Sequence, residues 1–239
     1  MKQYNYLYFI ILSIFTTNYC SQQEISSLIF TSQNGQDKYI LENFFKNEDG
    51  TYIKDGFFIE FGAFDGIEFS NTKVLEQLGW KGICIEPIPE AFAKLQKNRS
   101  CICIEGCISD KEGTALFRQV CNSCEVLSGL AEKYEPQHNA IVENYYRAPS
   151  IYYEVHCYRL SQILHDYNIK KIDFLSIDTE GGELDILQSL SQEDLARIDV
   201  ICVENNYENP KFIEFLESKN FKFICRMQQD LIFRNKRYL

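Results

Sequence analysis

The stretch "FFIEFGAFDGIEFSNT", Phe57 to Thr72, decides how this chain is read. An apolar run broken only by Glu60 is the pattern of a strand buried on both faces, and such strands belong to parallel sheets. A strand that only closes a core ends in an ordinary turn. This one ends in Gly62, Ala63, Phe64, Asp65 and Gly66, and glycines at a strand tip let a ligand approach the backbone closely.

Working outward, the same kind of run recurs. Candidate strands are Phe57–Phe61, Gly82–Glu86, Cys101–Glu105, Phe174–Asp178 and Val200–Glu204. Helical patterns separate them at Thr72–Leu78, Glu90–Lys97, Leu184–Leu190 and Lys211–Ser218, with a further helix at Gln36–Phe45 before the first strand. Strands spaced by helices predict an α/β fold with a doubly wound, mostly parallel sheet. The chain closes differently: Phe221–Met227 and Asp230–Asn235 are separated only by Gln228-Gln229, which predicts a C-terminal antiparallel hairpin.

Composition limits the function classes. The chain has 239 residues, 45% of them hydrophobic and 24% charged, which suits one globular domain over residues 30–239. A net charge of −10 excludes a protein that tracks nucleic-acid phosphates. Residues 1–22 stand apart. Lys2 precedes the apolar run Tyr6–Phe15, and polar Thr16-Thr17-Asn18 follows, as in a secretory signal peptide. The exit has no clean small-x-small cleavage site, so a retained membrane anchor is the alternative. Both readings place the domain in the secretory lumen or outside the cell. The 10 cysteines suit that compartment, where some disulfides are expected. Cys101, Cys103, Cys107, Cys121 and Cys124 lack the paired knuckles of a structural zinc site, and no metal is assigned.

The segment Cys121–Tyr158 reads as a long irregular insertion with Pro136, Pro149 and a run of tyrosines: Tyr134, Tyr145, Tyr146, Tyr152 and Tyr153. Flat faces with polar tips suit a sugar; they equally suit partly buried loop positions. His156 reads as a loop residue ahead of the fourth strand.

In an open parallel sheet, ligands bind beyond the carboxyl ends of the strands. Those ends carry Glu60, Gly62, Asp65 and Gly66; Glu86; Ile108, Ser109 and Asp110; Asp178, Glu180 and Glu183; and Glu204 with Asn205-Asn206. None carries a lysine or arginine. The dinucleotide glycine spacing is broken, since Phe64 and Ile67 follow Gly62 where glycines are needed, and no phosphate loop is present. Glu86, at the end of the second strand, is placed to accept two ribose hydroxyls. A nucleoside with a cationic partner and no phosphate suits these tips, and S-adenosylmethionine is such a ligand.

The motifs together resemble the FkbM-type S-adenosylmethionine-dependent methyltransferases. They run from Ser32-Gln33-Asn34-Gly35-Gln36-Asp37 through the opening stretch, Leu78–Pro89, Asn98-Arg99, Ser128-Gly129-Leu130, Ile172–Leu187 and Val203–Asn206. The resemblance extends from Ser32 to about Phe233. It implies a class I methyltransferase sheet. It implies a cofactor site of Glu60, Gly62, Ala63, Asp65, Gly66, Asn71, Glu86, Ile108 and Ser109. Within it, the first turn underlies the methionine part, Glu60 and Asp65 hold the ammonium, Glu86 takes the ribose, and Ile108 and Ser109 flank the adenine. Ser70-Asn71 caps the next helix.

A hydroxyl acceptor needs a base. Asp178 and Glu180 are the first candidates and Glu204 the third, with Glu183 read as a helix-dipole residue. The expected activity is O-methylation of a glycan or other hydroxyl compound. The alternative is a non-catalytic methyltransferase-fold protein that binds or traffics cargo along the secretory route.

Overall fold

The computed structural model describes residues 28–239. The signal-peptide or anchor reading of residues 1–22 lies outside them. Among the described residues no helix is long and apolar enough to cross a membrane.

The central sheet contains β1 (Phe57–Phe61), β2 (Lys81–Glu86), β3 (Ile102–Glu105), β8 (Ile172–Ile177), β9 (Ile198–Glu204), β10 (Phe221–Met227) and β11 (Asp230–Asn235). Their order is β10-β11-β9-β8-β1-β2-β3. All neighbours run parallel except at β11, which is antiparallel to both β9 and β10. Crossover connections return each parallel strand, so the chain winds outward in both directions from the β1–β8 pair.

Strand alternation divides the core. Ile59, Phe61, Ile83, Ile85, Leu175, Ile177, Ile201 and Val203 point to one face. There they meet Leu160, Ile163, Ile186, Leu187, Phe212 and Leu216 of the helices Leu160–Asp166, Glu183–Gln188 and Lys211–Ser218. Phe58, Cys84, Phe174, Val200 and Cys202 point the other way, onto Ile40, Leu41, Val74, Leu75 and Leu95 of the helices Gln36–Phe44, Lys73–Gln77 and Pro89–Asn98. Period-two alternation with both faces apolar makes both helical layers obligatory.

The middle of the chain corrects the sequence expectation. A second sheet, in the order β4-β7-β5-β6, draws two of its strands, β6 and β7, from the segment Cys121–Tyr158 that reads as an irregular insertion. It is built from β4 (Cys107–Ile108), β5 (Gly113–Val120), β6 (Gly129–Leu130) and β7 (Ser150–Tyr158). His156 lies on β7, opposite Thr114, and not in a loop. Val155 and Cys157 pack with Ile88, Ala91, Phe117 and Leu130 into a third small core. Between β6 and β7 the chain forms the short helix Pro136–Ala140 and one π-helical stretch, Ile141–Tyr146.

The cysteines are a second correction. All nine described cysteines carry free thiols. The Cys84 and Cys101 sulfurs are 3.5 Å apart, and Cys107 and Cys157 are register partners on β4 and β7.

Candidate active site

The carboxyl ends of β1, β2, β8 and β9 open onto one cavity of about 310 Å³, roofed by the second sheet through Cys107, Ile108, Phe117 and Leu130. That volume is within the range of small-molecule sites. Its lining is electrostatically one-sided. Glu60, Glu68, Glu86, Glu125, Asp178, Glu180 and Glu204 all face it, and among the described residues no lysine or arginine does.

Glu60 anchors the first tip. Its carboxylate receives the Ser70 hydroxyl at 2.9 Å, the Asn71 backbone N–H at 2.7 Å, the Thr72 hydroxyl at 2.8 Å and the buried Arg99 guanidinium at 3.3 Å. Arg99 also pairs with Glu76 and lies over the Phe58 ring. With both oxygens so engaged, Glu60 fixes the turn from within the cavity wall. Thr72 holds the helix N-cap position, one residue beyond the expected Ser70-Asn71, while the Ser70 hydroxyl accepts the Lys73 backbone N–H at 3.1 Å.

This knot holds Asn71 in the cavity wall. Asn71 is 9% exposed, and its Nδ2 donates to the Ser176 hydroxyl at 3.0 Å. Its Oδ1 is buried with no donor. A buried carbonyl oxygen without a partner costs free energy until a donor arrives. Gly62 turns the backbone beside it at φ 69°, and a Cβ there would stand 2.0 Å from the Asp178 carbonyl oxygen. Only glycine allows the β1 and β8 tips to pass so closely.

Glu86 is 3% exposed and accepts one backbone N–H on each oxygen, from Phe64 at 2.8 Å and from Ile88 at 2.9 Å. Burial outweighs these two bonds and raises its carboxyl to about 7. Each oxygen retains capacity for a further donor.

Asp178, Glu180 and Glu204 form the opposite wall. Their oxygens lie within 4.8 Å of one another, a geometry that could also hold one cation. Burial, together with repulsion from Asp230 and Glu183, raises the Asp178 carboxyl to about 8. Burial and the neighbouring acids, Asp178 first, hold Glu180 and Glu204 well above the ordinary carboxylate range. The convergence of Asp178 and Glu180 does not come from strand alternation, because β8 stops at Ile177. Glu180 instead adopts left-handed backbone geometry, φ 55°, which a non-glycine residue rarely holds. Glu183 secures that loop by accepting the N–H groups of Thr179 at 3.1 Å and Gly181 at 2.8 Å.

Beyond Glu180 stands His138, which sequence reasoning missed. It is 4% exposed, faces the cavity, and places Nδ1 3.3 Å from Glu180 Oε2. A histidine on a five-residue helix with no motif around it carries no local signal; only the packing of β6 and its following turn against the β8 loop brings it here.

Of the expected cofactor residues, Glu60, Gly62, Asn71, Glu86 and Ile108 line the cavity. Ala63, Asp65, Gly66 and Ser109 do not. Asp65 is occupied within its own turn, accepting the N–H groups of Ile67 at 2.9 Å and Glu68 at 2.8 Å. Gly66 faces Arg99 and Leu95, Ala63 packs in the core, and Ser109 is buried beside Asp110.

Among solved structures, the chain is similar to the methyltransferase FkbM from Methylobacillus flagellatus KT, with a TM-score of 0.45 and 9% identity over 76% of this chain and 44% of that one. The chain thus spans less than half the length of that protein. It is also similar to M. capricolum TrmK in complex with S-adenosyl-homocysteine, with a TM-score of 0.39 and 10% identity over 84% of this chain and 67% of that one. A third is the precorrin-6y C5,15-methyltransferase from Geobacter metallireducens GS-15, with a TM-score of 0.38 and 12% identity over 87% of this chain and 88% of that one. No curated protein matches the chain. The family model described as the methyltransferase FkbM domain matches residues 60–234, well over half of the chain and from β1 to β11. By that match the chain belongs to the FkbM family of S-adenosylmethionine-dependent methyltransferases.

Proposed function

We propose that the protein transfers the methyl group of S-adenosylmethionine to a hydroxyl group of a glycan or similar neutral acceptor in the secretory pathway. One observation carries the reading: a cavity at the strand tips has an acid-rich wall, no lysine or arginine, and an unpartnered buried oxygen on Asn71. A sulfonium with an ammonium group is the complement of that wall, and an anionic ligand is not.

The residues fit the cofactor one by one. Glu86 would take the ribose hydroxyls with the free capacity of its two oxygens. Asn71 Oδ1 would accept from the ammonium. Ile108 and Phe117 offer apolar faces to the adenine. Gly62 leaves the backbone open beneath the methionine part. When bound, S-adenosylmethionine supplies an electrophilic methyl group.

The chain's own task is to orient the acceptor, exclude water and remove its proton. Asp178, Glu180 and Glu204 are the groups within reach; all three carboxyls are raised, and Asp178, at about 8, suits a base that works near neutral pH. Tyr146 and Tyr207 line the cavity too, and aromatic faces favour a sugar or another flat-sided acceptor. The secretory address is supported by the apolar run Tyr6–Phe15 behind Lys2.

Calorimetry of the full chain with S-adenosylmethionine tests the reading first, and a methyl-transfer screen over glycans and simple glycosides tests it second. Binding with transfer to a hydroxyl is the expected result. Binding with no transfer to any acceptor would leave a methyltransferase-fold carrier. Mass spectrometry of protein from a secreting host checks the address; an intact N-terminus on a soluble cytosolic product would overturn it.

A further inference from the structure

The geometry assigns His138 a part in the methyl transfer: we propose that it is the proton-accepting partner behind Glu180, drawing the acceptor's proton through the Glu180 carboxyl. The inference rests on the methyltransferase reading above.

The hydrogen-bond pattern fixes the tautomer. His138 Nε2 lies 3.0 Å from the Leu127 carbonyl oxygen. A carbonyl cannot donate, so Nε2 carries the hydrogen and the neutral ring presents a lone pair at Nδ1. That lone pair faces Glu180 Oε2 at 3.3 Å. The same Leu127 carbonyl takes the Tyr134 hydroxyl, and the Tyr134 ring stands edge-on to the imidazole at 4.5 Å. The Leu127 carbonyl and the Tyr134 ring therefore hold the imidazole in plane and in rotation.

The charges around the pair decide where the resting proton sits. Burial lowers the pKa of His138, and burial with Asp178 and Glu183 raises that of Glu180. Both effects put one proton on Glu180, donated to Nδ1. The charged groups facing His138 are Glu180 from the β8 loop, Glu183 from the helix that follows, and Arg118 from β5. Arg118 is itself engaged by Asn139 and Glu143 and lies over the Tyr134 ring. Asn206 Nδ2 touches Glu180 Oε2 from the β9 side at 3.4 Å, which leaves Oε1 as the oxygen able to meet an acceptor.

The step balances. The acceptor O–H bond breaks and its proton passes to Glu180 Oε1, while the proton on Oε2 moves to Nδ1. The freed electron pair on the acceptor oxygen forms the bond to the methyl carbon. The C–S bond breaks and its pair stays on sulfur. One positive charge disappears at the sulfonium and one appears on the imidazolium, so the acid-lined cavity holds the same net charge before and after. Low net reorganisation of charge is what a preorganised site is expected to offer. The imidazolium, faced by Glu180 and Glu183, later returns its proton to solvent.

The test uses the full chain labelled with ¹⁵N-histidine and saturated with S-adenosylhomocysteine. Nuclear magnetic resonance is expected to show His138 as the neutral Nε2–H tautomer at pH 7.5, titrating below the ordinary histidine range, with its Nδ1 resonance displaced in E180Q. A cationic ring or the Nδ1–H tautomer at pH 7.5 overturns the assignment without touching the methyltransferase reading. Kinetics on methyl glycosides form the second arm. H138Q is expected to keep its melting temperature and its KM for S-adenosylmethionine within about twofold while kcat falls by roughly 10²-fold, and to lose the acidic limb of the wild-type pH profile. An H138Q variant with wild-type kcat and the same limb overturns the proposal alone; a wild type that binds the donor and methylates no glycoside overturns the proposal and the reading together.

Discussion

Two nests of acid stand at neighbouring strand tips, and they are opposites. In the first, Glu60 of β1 is matched by Arg99 and three further donors. In the second, one strand over, Asp178, Glu180 and Glu204 crowd within 4.8 Å with no lysine or arginine in the cavity wall. A buried charge that is fully paired serves the fold, since breaking it strands its partner. Acids crowded together without a counter-charge are a cost to the fold, and such clusters mark functional sites. The difference separates scaffold from site within a single row of strand tips, although the residue types are the same.

The largest expected effect attacks the first nest. E60A leaves the Arg99 guanidinium buried without a main counter-ion and should destabilise the protein by about 3–5 kcal/mol in chemical denaturation. A loss under about 1 kcal/mol would mean that Glu76 alone satisfies Arg99, and the contrast between the nests would collapse. The matching change in the second nest, E180Q, removes a crowded acid. It should leave stability equal or slightly higher and cut turnover by roughly 10²-fold. If E180Q instead unfolds the chain, Glu180 belongs to the scaffold.

A smaller effect sharpens the comparison at a third acid. Glu86 is intermediate: two backbone donors, Phe64 and Ile88, hold it in place of an ion pair among the described residues. E86A should weaken S-adenosylmethionine binding by about 2 kcal/mol, roughly 30-fold, through lost hydrogen bonds to the ribose. Unchanged affinity in calorimetry would remove Glu86 from the cofactor site.

The sequence made much of this legible, for physical reasons. Strands buried on both faces are nearly continuous apolar runs, so β1, β2, β8 and β9 announced themselves, and a two-residue link made the β10–β11 hairpin plain. The strands β5 and β7 did not, because only one face of their sheet is buried, and Leu116 and Tyr152 are exposed on the other. Hydrophobic exposed residues blur the alternation on which strand reading depends. The acids of the site were visible because parallel-sheet topology brings strand tips together whatever the loops do. Their division of labour was not. Whether Glu60 or Asp65 meets a ligand depends on left-handed backbone at Gly62, Phe64 and Gly66, which turns one side chain into a salt bridge and the other back on its own loop. His138 depends on two segments that meet only in the folded chain.

The smallest expected effect reads the second nest through pH. Asp178 is held at about 8 in the folded protein, first by burial and then by Asp230 and Glu183, whereas an aspartate in an unfolded chain titrates near 3.9. Between these values the folded protein keeps a proton that the unfolded chain has lost. Its contribution to stability is therefore complete below about pH 4, shrinks as pH rises towards 8, and changes no further above that. D178N cannot titrate. The melting temperature of the wild type, relative to D178N, should fall by a few degrees between pH 5 and pH 8. Glu180 and Glu204 shift in the same direction, so D178N removes part of the slope and the rest remains. Parallel curves for the two proteins would show that Asp178 is already ionised in the fold and matched by something cationic. A sulfonium is one such group, and it supplies the converse measurement. A cationic ligand favours the ionised cluster, so S-adenosylmethionine should bind more tightly as pH rises through the same window, while neutral-sulfur S-adenosylhomocysteine should show a weaker rise. Equal pH dependence for the two ligands would place the sulfonium away from Asp178, and the acids would then need another reason to be crowded together.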